Sequence, residues 1–412
     1  MDFINRLLVV MMLSVAAGAG ISEPNQLFSG RMQFAFTPTA RLHGATVAHT
    51  ATSLPNGDVL VLGGYGKLFG RVPIASSMGR IFDHQKHSWR VLSGTLHYGR
   101  LIHAALALPD GKVLIVGGLG QDNKHLRSVE IFDPQNEQFE LVGHMNSSHR
   151  HPRLNLLPGS KVLITGLAKQ AEIIEPDPNH PSGYIIRPTR GQSAYGHGDH
   201  AAINLADGRV LLAGGRMTSL EMFDYESETF TSSQARLSMV LDDQAGCLLY
   251  DGTVLLAGGQ EIYSNRSVRE TWIYDPNTDS LCSGPMLNAT SKGKIQPGAA
   301  DMAAVDLYPC DKELAGRYIL LCGGEYDPGP GEEPDIVLDS AMIYDAVRRR
   351  LIDVGPMRYG HDDFAAVTLP QVEGGAEVLI IGGYGPNDTF QSHCEIFFFR
   401  MAMVAELANE KR

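Results

Sequence analysis

One sixteen-residue sentence recurs along the chain and constrains its fold more than any other feature. "HTATSLPNGDVLVLGG" (49–64) returns as "HAALALPDGKVLIVGG" (103–118), "HAAINLADGRVLLAGG" (200–215) and "QAGCLLYDGTVLLAGG" (244–259). Weaker copies are "PRLNLLPGSKVLITGL" (152–167), "YILLCGG" (318–324) and "EVLIIGG" (377–383). The seven copies are spaced by roughly 45 to 65 residues, a period that belongs to propellers and solenoids.

Each copy reads as a β-hairpin. Its first run is small and apolar, suited to a crowded inner strand. In four copies "NG" or "DG" follows, the pair that tolerates the positive φ of a tight turn. The next run, such as "VLIV", is apolar throughout, as a strand covered on both faces should be. The glycine pair ends it where backbones crowd. A second hairpin follows, marked by an apolar residue before an acid: "IFDHQKHSW" (81–89), "IFDPQNEQF" (131–139), "IIEPDPN" (173–179), "MFDYESETF" (222–230), "IYDPNTDSL" (273–281) and "IYDAVRRRL" (343–351). The acid starts a turn by accepting backbone N–H groups two residues on. Four strands per repeat and seven repeats predict an all-β, seven-bladed β-propeller.

The Gly-Gly pair, the "YDP"-like turn and the outer-strand Trp89 resemble the Kelch repeat, in the version common in exported bacterial proteins. The resemblance covers residues 31–400. It departs from the pattern at Gly166-Leu167 and in its scarcity of outer tryptophans. It implies four-stranded Kelch-type blades and the role of an interaction scaffold. Ring closure is also legible. The seventh repeat ends in "CEIFFF" (394–399) with no turn acid after it, while "MQFAFTPTARLHG" (32–44) reads as an orphan outer strand. The N-terminal strand is therefore expected to complete blade seven and remove its open edge. Residues 401–412 are expected to form a short tail helix.

Residues 1–20, with Arg6 before an apolar run from Leu7 to Leu13 and then small residues, match a secretory signal peptide. They imply a secreted or periplasmic protein. No other stretch reaches the ~18 apolar residues of a membrane-spanning helix. The net charge of −12 argues against a nucleic-acid partner. The five cysteines form no CxxC pair. An exported chain allows one disulfide, for instance Cys310 with Cys322; buried thiols acting as small hydrophobes are the other reading.

In a four-stranded blade the inner strand starts and the second strand ends at the same mouth of the ring, the default ligand site. Aligning the inner strands gives two neighbouring columns there. One reads Ala48, Ile102, His151, Asp199, Asp243, Asp301 and Asp363; the other reads His49, His103, Pro152, His200, Gln244, Met302 and Phe364. Side chains alternate along a strand, so only one column faces the channel. Three readings of the aspartates stand open. Their side chains could accept hydrogen bonds from neighbouring blades, hold a hard cation such as calcium, or bind a ligand without metal. The repeated histidines read as scaffold, since zinc needs three or four convergent ligands. No metal site and no cofactor beyond that divalent cation are expected.

The candidate ligand-binding set is Arg100, Tyr195, His197, Asp199, Asp243, Asp301, Tyr359, His361 and Asp363. It rests partly on "YGHGDH" (195–200) and its twin "YGHDDF" (359–364) at two blade entrances. The loop at 63–80 is long and basic, that at 323–340 long and acidic, and those of the third and fourth copies short, which predicts a lopsided mouth. Two functions follow. One is a monomeric binding module for a protein or glycan. The other is a carbohydrate-active enzyme of epimerase, lyase or oxidase type, using Arg100, Tyr195, His197, Tyr359 and His361. Resemblance to galactose oxidases would imply copper held by two Tyr and two His and a further domain after the propeller; no copper centre of that kind is expected here.

Overall fold

The computed structural model describes residues 32–69, 72–149, 151–331, 335–370 and 375–401. The signal peptide expected at 1–20 lies outside them. Met401 ends the last strand, and the rest of the expected tail helix also lies outside. Seven antiparallel sheets surround a channel. Blade one pairs Val47–Ser53, Val59–Tyr65, Met78–Asp83 and Ser88–Thr95 in that order, and blades two, three, five and six repeat the plan. Blade four adds a short rim hairpin, Gln260–Glu261 with Arg266–Ser267, beyond its 14-residue outer strand Thr229–Asp242. In blade seven the order is Ala365–Thr368, Gly375–Ile381, Cys394–Met401 and then Met32–Pro38. The register runs from Met32 opposite Met401 to Pro38 opposite Glu395, so the first strand among the described residues closes the ring as expected.

The core lies between blades because each second strand presents two apolar faces. In Val113–Val116 all four residues are buried. Val113 and Ile115 pack with Leu60, Leu62 and Phe132, while Leu114 and Val116 pack with Val162 and Ile164 of blade three. At the closure, Val59 and Val61 meet Leu379, Ile381 and Ile396. Each interface buries apolar surface at roughly 25 cal/mol per Å², which makes stacking around the ring the main stabilising contribution.

The turn chemistry follows the sequence with one difference. In "LPNGD" the Leu54 amide donates to Asp58 O and the Gly57 amide to Leu54 O, both within 2.9 Å, and only Gly57 has positive φ. Gly111, Gly208 and Gly252 repeat this. The connection is thus a turn followed by one left-handed glycine, not a pair of positive-φ residues. In the second hairpins Asp83, Asp133, Asp224, Asp275 and Asp345 each accept backbone N–H groups two or three residues on, as the sequence suggests. All five cysteines are free thiols, so Cys310 and Cys322 form no disulfide. Cys322 and Cys394 pack in the core, where burial pushes their thiols up.

Candidate functional site

The first column of seven residues forms a collar around the channel mouth. Ala48, Ile102, His151, Asp199, Asp243, Asp301 and Asp363 all have left-handed backbone, with φ between 46 and 55°. In that conformation each can hand its backbone to the next blade. The Ala48 amide donates to Asp363 O at 3.0 Å, Ile102 to Ala48 O at 2.9 Å, Asp243 to Asp199 O at 2.9 Å, and Asp301 to Asp243 O at 3.2 Å. The main chain links the blades at these four junctions, while the Asp199 carboxylate pairs with His151 of blade three. Aspartate enters left-handed backbone more readily than most residues, which favours it here. The next column turns into the blade interfaces, where His49, His103, Pro152, His200, Gln244 and Met302 are buried.

Those histidines are scaffold. His103 Nε2 lies 2.9 Å from Thr50 Oγ1 of the preceding blade, and His200 Nε2 lies 2.8 Å from Thr165 Oγ1. A Cβ on Gly63 would come within 2.8 Å of the His103 ring, so the glycine pair is the seat of the neighbouring blade's side chain. Burial, helped by nearby Arg80, drops the His49 pKa to about 3. Burial likewise holds His103 and His200 well below the usual histidine range, helped by Arg100 at one and His197 at the other.

The polar residues of the entry segments are tied into a repeated device. Arg100 donates to Gly117 O at 2.9 Å and pairs with Glu130. His197 lies 2.7 Å from Glu221 Oε2 and 3.2 Å from Gly214 O. His361 lies 3.2 Å from Glu395 Oε1 and 2.6 Å from Gly382 O. His149 stands 3.6 Å from Glu172 in blade three. Each glutamate is buried on the third strand and also accepts backbone N–H groups of its entry segment: His97 on Glu130, Asn146 and Ser147 on Glu172, Ala194 on Glu221, and Arg358 on Glu395. Burial alone would raise the carboxyls of Glu172 and Glu221, but these contacts outweigh it and hold both below the usual range. The sequence signal for this device is the glutamate opening "EIFD", "EIIE", "EMFD" and "EIFF", which the reading from sequence missed. In blade one Arg80 stands there instead and donates to His43 O at 2.8 Å.

Arg100, Tyr195, His197, Tyr359 and His361 thus stand in three separate entry segments, on blades two, four and seven, and do not gather in one pocket. Tyr359 stacks on His393 with ring centroids 4.1 Å apart. In "YGHGDH", a Cβ on Gly196 would fall on the Leu167 carbonyl oxygen, so close approach to the preceding blade requires that glycine.

What converges at the mouth is negative charge. Asp243, Asp301 and Asp362 are held well above the usual carboxylate range, first by burial and then by one another and by Asp199, Asp363 and Glu325. Burial also raises Asp363, whose side chain is nonetheless reached by solvent in the channel. Burial and the surrounding acids push Glu325 up to about 7. On the other wall His151 pairs with Asp199. Asp363 at the entry of blade seven feels His151 and Asp199 at the entries of blades three and four, across the ring, so the first column does face the channel. Among the described residues, no three His, Cys, Asp or Glu side chains converge as a metal set.

A second tier comes from the residue just after each glycine pair. Tyr65 pairs with Val47, Leu119 with Leu101, Glu325 with Ala300, and Tyr384 with Asp362, in every case next to the collar. Tyr65 and Tyr384 meet hydroxyl to hydroxyl, and Phe390 packs on both at 5.5 and 5.4 Å. The sequence reading did not select these aromatics; their signal is chemical variety at one otherwise regular position. The rim is lopsided, as expected, over blades one and six, with hairpins at Leu68–Phe69 and Val72–Pro73 and at Glu325–Tyr326 and Ile336–Val337. Blade seven adds Tyr384–Gly385 with Thr389–Phe390. Arg71, Glu332 and Glu333 lie outside the described residues. At the opposite, turn-bearing end, a cavity of about 630 Å³ is lined by Leu54, Pro55, His84, Cys310, Leu369 and Pro370 and lacks such a charge cluster.

Residues 100–146, which enter and build blade two, match the family model of the Kelch motif. Kelch-like protein 35 of Mus musculus is 23% identical over 256 residues, 61% of this chain and 41% of that protein, so the match spans about two fifths of the relative's length. A solved structure described as a novel fungal alcohol oxidase with catalytic diversity among the AA5 family, in complex with copper, aligns with a TM-score of 0.63. It is 14% identical and covers 89% of this chain and 76% of that one, a likeness of fold.

Proposed function

We propose that this seven-bladed Kelch propeller is a binding module that takes a protein partner on the mouth where its inner strands begin. One observation carries the reading. The side chains free of scaffold duty at that mouth are Asp243, Asp301, Asp362, Asp363 and Glu325, carboxylates that gather their charge at the channel between unequal loops, whereas the histidines and Arg100 are spent on blade contacts. Such a surface recognises by charge and shape. The mouse relative's Kelch resemblance and the Kelch motif itself support a protein over a glycan. The five residues an epimerase or lyase would draw on sit apart, so we do not propose catalysis by them. The apolar run Leu7–Leu13 supports an exported location as part of the same reading.

Selection from a random peptide display library against the full chain, with a glycan array in parallel, tests it. Peptides should be enriched, and their binding should fall with Asp363→Ala and Tyr384→Ala but survive Asp110→Ala at the opposite end. Enrichment on glycans alone, or peptides sensitive only to Asp110→Ala, overturns the reading.

A further inference from the structure

The acidic mouth contains a carboxylate that the fold leaves unanswered. Asp362 is 8% exposed, and its Oδ1 is sealed from solvent without a hydrogen-bond partner. Its strongest charged neighbours are Glu325, Asp363 and Asp243, so it faces the cluster and not a cation of the chain. A buried acceptor left unmade is destabilising, more so when charged. The group that completes it must therefore be a donor, and a positive one. A metal ion would need several ligand atoms closing on one point, and no such set exists among the described residues.

The walls beside Asp362 are aromatic. Its amide donates to Tyr384 O at 3.0 Å, and the Tyr384 amide donates back to Asp362 O at 2.6 Å. That bridge sets the Tyr384 main chain beside Asp362, Tyr65 and Phe390 pack against the Tyr384 ring, and the hydroxyls of both tyrosines lie near enough to Asp363 to feel its charge. Aromatic faces attract a cation within about 6 Å of their centroids. The carboxylates come from separate segments, Asp301 and Glu325 from blade six and Asp362 and Asp363 from blade seven. A planar guanidinium prefers both oxygens of one carboxylate, whereas an ammonium spreads three donors among several.

We propose that Asp301, Asp362 and Glu325, walled by Tyr65 and Tyr384, form a receptor for a primary ammonium group, the end of a lysine side chain presented by the partner. This rests on the reading of the mouth as a protein-binding surface and names what that surface recognises. The ammonium would answer Asp362 Oδ1 and offset the repulsion among the acids.

Titration calorimetry of the full chain at pH 7.5 and physiological salt tests it, with n-pentylamine as the lysine probe and calcium chloride alone as the control. Pentylamine should bind one to one at millimolar concentration. Asp362→Asn should weaken it by at least about tenfold; where that variant fails to fold, Glu325→Gln serves and should weaken it in the same direction. Three results overturn the site: no heat with pentylamine, undiminished binding in the folded variants, or calcium binding that displaces pentylamine. The two readings fail separately. Peptides that need the mouth but are not displaced by pentylamine leave the binding module standing without the ammonium site. Pentylamine bound at Asp362, with no peptide enriched at the mouth, leaves the ammonium site standing without the protein partner.

Discussion

Asp301 illustrates how one position serves two demands. Its backbone is left-handed at φ 55° and donates across to blade five, while its carboxyl faces other acids. Burial and neighbouring carboxylates raise its pKa in the folded state, so folding favours the protonated form. Its contribution is fullest below about pH 4, the ordinary aspartate range, and is lost as pH rises through the folded value. Asp301→Asn keeps a residue that tolerates left-handed backbone and removes the charge. The variant should melt at a higher temperature than the parent at pH 8, by on the order of a degree or more, and match it near pH 3.5. Calorimetry at the two pH values checks this; a lower melting temperature at pH 8 would show that the carboxylate, not the backbone alone, holds the collar. The aspartate column was legible in the sequence. Its left-handed conformation was not, because Ala48 and Ile102 occupy the same position and neither advertises positive φ.

The blade entry is the element where sequence reasoning and structure part most usefully. "YGHGDH" contains the residue types of a metal site and stands at a blade entrance. Only the folded blade shows that His197 is answered by Glu221, a residue 24 positions on in the third strand. Glu221 is buried and also holds the Ala194 amide at 2.9 Å and pairs with Ser193. Removing it strands a buried histidine and two donors. Glu221→Ala should therefore destabilise the protein by about 3 kcal/mol, read by denaturant melts, with Glu221→Gln costing less because it keeps an acceptor. Equal losses in the two variants would assign the effect to packing rather than to the hydrogen bonds. Asp110→Ala, at an exposed turn where the carboxylate accepts only the Lys112 amide, is the reference for an acid outside this device.

Across the whole molecule the ring is closed by pairing the first and last described strands. Met32–Pro38 covers the edge of Cys394–Met401, and Phe36 packs on Phe397 with centroids 4.9 Å apart. Chain lacking residues 1–38 should expose that edge, melt at a lower temperature and self-associate. Size-exclusion chromatography and melting curves check the outcome, and an elution volume and melting temperature unchanged from the parent would show that the blade interfaces alone keep the ring shut. The closure was readable because an outer strand without a hairpin partner at one end matched a blade without an outer strand at the other.

The sequence by itself determined the repeat, the strand count, the turn positions and the apolar faces, since each depends on residues near one another along the chain. It also marked the mouth, because strand direction follows from hairpin order. Only the tertiary structure decided which polar residues were free. His197 and His361 find their glutamates across a blade, His49 and His103 are desolvated by the preceding blade, and Asp362 is left facing Asp301 and Glu325. Those outcomes depend on what seven blades bring together around a common channel, which no local stretch encodes.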